Sequence, residues 1–206
     1  MIKAVIPVIL ATGNAGKVRE FNRLVAGAFE VMRLPQGVTL PEETGETFAD
    51  NARLKAQKVF EELGGRQAVL ADDSGLQVAA LGGRPGIYSA RYAGESASDA
   101  QNVEKLLGEL DGVADRGARF ACALCLALPA CVDASAGTFI EVEGFTLGSI
   151  TLEPRGLDGF GYDPVFQPEG WGQTLAEASP EDKDAVSHRG AAVRALLDRL
   201  ARTIGV

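Results

Sequence analysis

The sequence is short of positive charge, of cysteine and of histidine, and each shortage narrows what the chain can do. Its 20 Lys and Arg residues stand against 28 Asp and Glu, a net charge of -8, which argues against a broad basic surface for a nucleic-acid backbone or an anionic membrane. A small anionic ligand held in a locally basic pocket remains open. Long hydrophobic runs are missing as well, and none approaches the roughly 20 apolar residues of a membrane-spanning helix. The apolar run over residues 4–11 contains Pro7 and lacks the basic region and cleavage pattern of a signal peptide. A cytosolic protein is expected.

Cysteine is limited to Cys122, Cys125 and Cys131, and an odd count in a chain of this size does not suggest a disulfide framework. Cys122 and Cys125 have CxxC spacing, but a strand would put them on opposite faces and no second pair exists for zinc, so ordinary buried cysteines are expected. Neither an internal repeat nor a low-complexity tract is present. What is present is ordinary globular material: 206 residues, 46% hydrophobic and 23% charged, enough for one domain over residues 1–206 with a full core and two lobes.

Hydrophobic periodicity lays out the chain. Residues 5–11 read as a buried strand, followed by a glycine turn and a helix over 17–26 with Val18, Phe21, Leu24 and Val25 on one face. A second strand is expected over 29–34. Phe48, Ala52, Ala56, Val59 and Leu63 recur at helical spacing until Gly64 and Gly65 end the helix. Residues 68–71 read as a short strand whose C-terminal edge delivers Asp72 and Asp73 and then turns on Gly75. A glycine-rich irregular segment over 75–94 follows, and its length marks it as functional. Ser98 is positioned to cap a helix through Leu110. Two β-like runs, 118–128 and 138–147, flank a loop over 129–137, and a last helix begins near Ser187. The pattern predicts an α/β fold with a mixed sheet.

Four stretches could carry chemistry. Thr12, Gly13, Asn14, Ala15, Gly16 and Lys17 form a glycine turn at a helix start, where backbone N–H groups, the helix dipole and a lysine make a phosphate cradle. The spacing is not that of a Walker A loop, and a plain capped turn would read the same way. Ala-Asp72-Asp73-Ser74-Gly, together with Glu42, Glu43 and Glu46, offers carboxylates of the kind that hold Mg²⁺ alongside substrate phosphates; a solvated acidic turn is the plainer alternative. Phe160, Gly161, Tyr162 and Asp163 could stack on and edge a flat ligand, or form a structural corner. Ser187, His188 and Arg189 gather donors at a helix start, with Lys183 just upstream on an expected loop. His188 is the only histidine, and a lone histidine is usually incidental.

Taken together, TGNAGKVREF, PEETGETFADNARLKA, ADDSGLQVAALGGRPGIYSARYAG, GFGYDPVF and SHRGAAV resemble the inosine and xanthosine triphosphate pyrophosphatase family over residues 10–200. The resemblance implies an elongated mixed central sheet with flanking helices, two lobes around an active-site cleft, and a homodimer. It implies Mg²⁺-dependent hydrolysis of ITP, dITP and XTP to monophosphate and pyrophosphate. By the same resemblance Thr12 to Lys17 hold phosphates, Ser74 contacts the nucleotide, and Phe160 to Asp163, Lys183, His188 and Arg189 supply the remaining contacts, including those to the base. Asp73 is the implied proton acceptor and a metal ligand, with Glu42 as second ligand, Lys55 assisting with phosphate charge and Asp72 supporting from behind. Mn²⁺ suits the same oxygen ligands. A nucleotide-binding regulatory module without turnover is the alternative from a different class.

Overall fold

The computed structural model describes residues 5–130 and 137–204. Cys131 and most of the loop expected over 129–137 lie outside the described residues. In chain order the elements are β1 (Ile6–Leu10), α1 (Ala15–Leu24), β2 (Phe29–Met32), α2 (Phe48–Glu62), β3 (Ala68–Val78), α3 (Asp99–Glu109), β4 (Gly117–Leu128), β5 (Thr138–Ile150), β6 (Phe166–Pro168), α4 (Pro180–Val186) and α5 (His188–Ile204). The strands form one sheet in the order β2-β1-β3-β4-β5-β6. β1 runs parallel to both β2 and β3, and β5 antiparallel to β6. The sheet is therefore mixed, as the sequence pattern predicts.

By its internal contacts the chain divides into two compact units, the first formed by Met1–Asp73, Cys122–Gly144 and Arg189–Val206, the second by Ser74–Ala121 and Phe145–His188. Each has its own core. In the first, β1, the start of β3 and the C-terminal half of β4 contribute Val8, Leu10, Leu70, Leu124 and Leu126, packed with Phe21 of α1 and with Ala192, Val193 and Leu196 of α5. Near-continuous apolar runs such as β4 suit strands covered on both faces. Phe21 is fully buried, a contribution of about 1.5–3 kcal/mol. In the second unit Leu76, Val78, Leu106, Leu110, Val165 and Phe166 are the corresponding centre.

Helix starts follow the side chains that suit them. Thr47 caps α2 and exchanges hydrogen bonds with Asp50, and Ser98 caps α3 and does the same with Gln101, the reciprocal pattern that satisfies two orphan amides. Cys122 and Cys125 are buried free thiols, and burial pushes the Cys125 thiol up to about 12, so neither residue is disposed to react.

Three expectations are corrected. β3 does not stop at Ala71 but runs on through Asp72, Asp73, Ser74 and Gly75 to Val78. The two acids therefore sit within a strand rather than at its edge, because their charges are matched by neighbours from distant parts of the chain. Gly75 makes no turn: a Cβ there would lie 2.6 Å from the Gly86 carbonyl oxygen and collide with the Ser89 hydroxyl. Its lack of a side chain lets that hydroxyl accept from Leu76 N at 2.9 Å. Lys183 lies on α4, a short helix capped by Ser179, rather than on a loop.

Candidate active site

The first unit gathers charge. On β3 Asp72 is fully enclosed and accepts Lys17 Nζ at 2.8 Å, with Arg189 Nε 3.6 Å away. Arg189, buried at the start of α5, also donates to Glu20 of α1 at 3.1 Å. Burial alone would raise the Asp72 carboxyl, but Lys17, Arg189 and Lys55 outweigh it and hold the group well below the ordinary carboxylate range. Asp72 is thus a fixed anion that organises two cations.

Its neighbour differs. Asp73 is buried, accepts Asn51 Nδ2 at 3.0 Å and faces Lys55 Nζ at 3.5 Å. Burial lifts the Asp73 carboxyl above its ordinary value; Lys55 and the Asn51 hydrogen bond oppose the rise, while Glu43 adds to it. Lys55 itself is enclosed by acids, donating to Glu43 at 2.7 Å, and although burial disfavours its charge, Asp73, Asp72 and Glu43 keep it protonated.

Asn51, Lys55 and Glu43 complete the cluster around Asp73. Asn51 and Lys55 are one turn apart on the buried face of α2, beside Ala52 and Ala56, and two polar residues inside an apolar stripe were the available signal. Asn51 Oδ1 also accepts from Gly45 N at 2.7 Å, which fastens the glutamate-bearing loop to the helix carrying Lys55. Glu42 is exposed, and Glu43 is the residue turned toward Lys55.

The turn at Thr12 to Lys17 is built by Asn14. Its side chain accepts from Gly16 N at 2.7 Å and Lys17 N at 3.2 Å, and its own N–H donates to Thr12 Oγ1 at 3.1 Å. Two amides at the helix start are therefore already capped by Asn14, and the Lys17 ammonium is shared with Asp72. Gly13, Asn14 and Ala15 are exposed.

The second unit gathers rings. Phe160 N donates to Asp163 Oδ2 at 2.8 Å, and the same oxygen accepts Lys183 Nζ at 2.6 Å. Lys183 also lies 5.1 Å above the centre of the Phe160 ring. Gly159 has φ +83°, and a Cβ there would come within 2.9 Å of the Asp163 carboxyl carbon, so this position requires glycine. Gly161 N donates to Asp99 at 2.7 Å and the Tyr162 hydroxyl to the Ser89 carbonyl at 2.9 Å. Asp163, expected at the edge of a ligand, is buried as the clasp of its own turn. Ser74 is half-buried on β3, and His188 is buried at the first residue of α5.

The model of the Ham1 family matches residues 8–199. The chain belongs to the Ham1 family. Among relatives, a dITP/XTP pyrophosphatase of Prochlorococcus marinus (strain NATL1A) is 46% identical over 201 residues, covering 97% of this chain and 96% of the relative. One of Geobacillus kaustophilus (strain HTA426) is 49% identical over 203 residues, covering 96% of each. The solved structure of the Staphylococcus aureus Ham1 protein superposes with a TM-score of 0.82 at 38% identity, covering 95% of this chain and 98% of that one. The Ham1 relationship thus extends over both units.

Among the described residues no group of three His, Cys, Asp or Glu side chains stands close enough to hold a metal ion. A divalent cation would therefore be held here by few carboxylates. Asp73 and Glu43 already lie against one cation, the Lys55 ammonium. That donor set fits Mg²⁺, which commonly binds through one or two carboxylates together with substrate phosphates and water.

Proposed function

We propose that this protein hydrolyses ITP, dITP and XTP to the monophosphate and pyrophosphate, removing aberrant purine nucleotides before they enter DNA and RNA. The relatives named dITP/XTP pyrophosphatase along nearly the full chain support this reading. The observation that carries it is the pair of adjacent buried carboxylates on β3, Asp72 against Lys17 and Arg189 and Asp73 against Asn51 and Lys55.

Forming a monophosphate and pyrophosphate requires cleavage of the anhydride between the α- and β-phosphates. Water attacks one of the two phosphorus atoms while the bond from that atom to the bridging oxygen breaks, and the other group leaves on that oxygen. Asp73 would take the proton from that water. Asn51 holds one of its oxygens in place. Lys17 and Lys55 would offset charge on the phosphates, and Thr12, Gly13, Asn14, Ala15 and Gly16 would contact them through the turn. Asp73 with Glu42, or with Glu43 beside it, would hold Mg²⁺, which supplies charge neutralisation of the polyphosphate. Mn²⁺ could serve in the same place.

In the second unit Phe160, Gly161, Tyr162, Asp163, Lys183 and His188 would receive the nucleoside, with Ser74 nearby in sequence to Asp73. Hypoxanthine and xanthine carry an oxygen at position 6 where adenine carries an amino group. Donors from His188 or Arg189 would pair with the former and face another donor with the latter, a mismatch that discriminates strongly in an enclosed site. A homodimer and a cytosolic setting belong to the same proposal; no helix among the described residues is long and apolar enough to cross a membrane.

The test is product identity. Pyrophosphate released from ITP, dITP and XTP with Mg²⁺, lost with chelator and small with ATP and GTP, is the expected result. Orthophosphate would mean attack at the terminal phosphate, and tight ITP binding without any release would mean a binding module instead.

A further inference from the structure

The only histidine is held by an aromatic column. On β4 Phe120 stacks on His188 with ring centroids 4.6 Å apart and planes 11° from parallel. Phe120 also meets Phe166, at 4.6 Å and a tilt of 53°. Phe166 in turn occupies space that Gly148 leaves open, since a Cβ there would lie 2.7 Å from Phe166 Cζ. All four residues belong to the second unit. Phe120 is 6% exposed, Phe166 0% and His188 2%.

A leucine would fill the volume of Phe120 as core, but it would not present a flat face. A stacked ring cannot tilt without losing contact with its partner, whereas it can still turn within its own plane. Because the two imidazole nitrogens donate and accept within the ring plane, fixing that plane fixes the set of directions open to a hydrogen bond from His188. We infer that Phe120 is a positioning residue for base recognition: it sets the plane of the His188 ring, and Gly148 and Phe166 hold Phe120 in register. The inference rests on the reading that His188 contacts the purine base.

Phe120→Leu tests it in tag-free protein, where the single histidine gives ring-proton resonances that need no further assignment. A stacked phenyl shifts those resonances upfield. In the variant they move downfield, and KM for ITP rises about tenfold, the size of one neutral hydrogen bond, with kcat changed by no more than about twofold. Phe120→Tyr, which keeps the ring, restores both. Unmoved resonances in Phe120→Leu, or moved resonances with unchanged KM, overturn the inference. Should Phe120→Leu fail to melt cooperatively, Phe120→Met carries the same comparison. His188→Ala separates the two levels: an unchanged KM there removes the base-contact reading and this inference with it, whereas a raised KM there beside an unchanged KM in Phe120→Leu removes only the inference.

Discussion

The two units solve opposite problems with opposite materials. The first encloses ions, Lys17, Asp72, Arg189, Glu20, Lys55 and Asp73, and satisfies them with one another across long sequence separations. The second encloses rings and backbone turns, with the buried ion pair of Lys183 and Asp163 acting as the clasp of the turn at Phe160. Charge buried in quantity is expensive unless matched, and in the first unit it is matched by ion pairs within that unit.

Within the first unit the contrast repeats between adjacent residues. Lys17, Arg189 and Lys55 hold the Asp72 carboxyl below its ordinary range, whereas burial and Glu43 hold that of Asp73 above it. On the proposed reading, the first anion holds the cluster together and the second acts on water.

Substitutions can break this contrast at each level. The largest stability effect is expected for Asp72→Asn, which leaves Lys17 and Arg189 without their shared anion. Loss of about 3 kcal/mol is expected, read as a fall in melting temperature of about 6–12 °C. A melting temperature within about 2 °C of wild type would mean that Asp72 does not organise the cluster.

Next is Gly159→Ala in the second unit, which forces a side chain into a left-handed conformation and against Asp163. About 2 kcal/mol of stability should be lost, together with weakened ITP binding and little change in kcat. An equal loss in kcat would show that the turn serves the reaction rather than the nucleoside.

The smallest effect belongs to Arg53→Ala, which removes the exposed pair with Glu141 on the first unit. At most about 1 kcal/mol and no change in activity are expected. A large effect would show that charge in this unit is stabilising wherever it occurs, and the distinction between buried and exposed ions would fail.

Much of this was legible in the sequence, for identifiable reasons. The cap at Ser98, the glycine pair ending α2 and the apolar runs of β1 and β4 are local signals, and local signals set those elements. β3 was read short because two consecutive aspartates look like a loop until Lys17, Lys55 and Arg189, from three other segments, are brought beside them. Spacing likewise cannot reveal that Phe160 N and Lys183, 20 residues on, occupy the Asp163 carboxylate. Similarly, adjacent glutamates 42 and 43 have the same chemistry, and only the fold distinguishes the exposed one from the one against Lys55.

The account rests on Asp73 acting on water rather than holding the nucleotide. The most direct measurement is affinity for a non-hydrolysable ITP analogue by calorimetry, beside pyrophosphate release from ITP, for Asp73→Asn and wild type, with Mg²⁺ present. Affinity within about fivefold of wild type, with release reduced by roughly 10²–10⁴, is the predicted result. Release near the wild-type rate, or a loss of affinity that accounts for the whole loss of release, would contradict it.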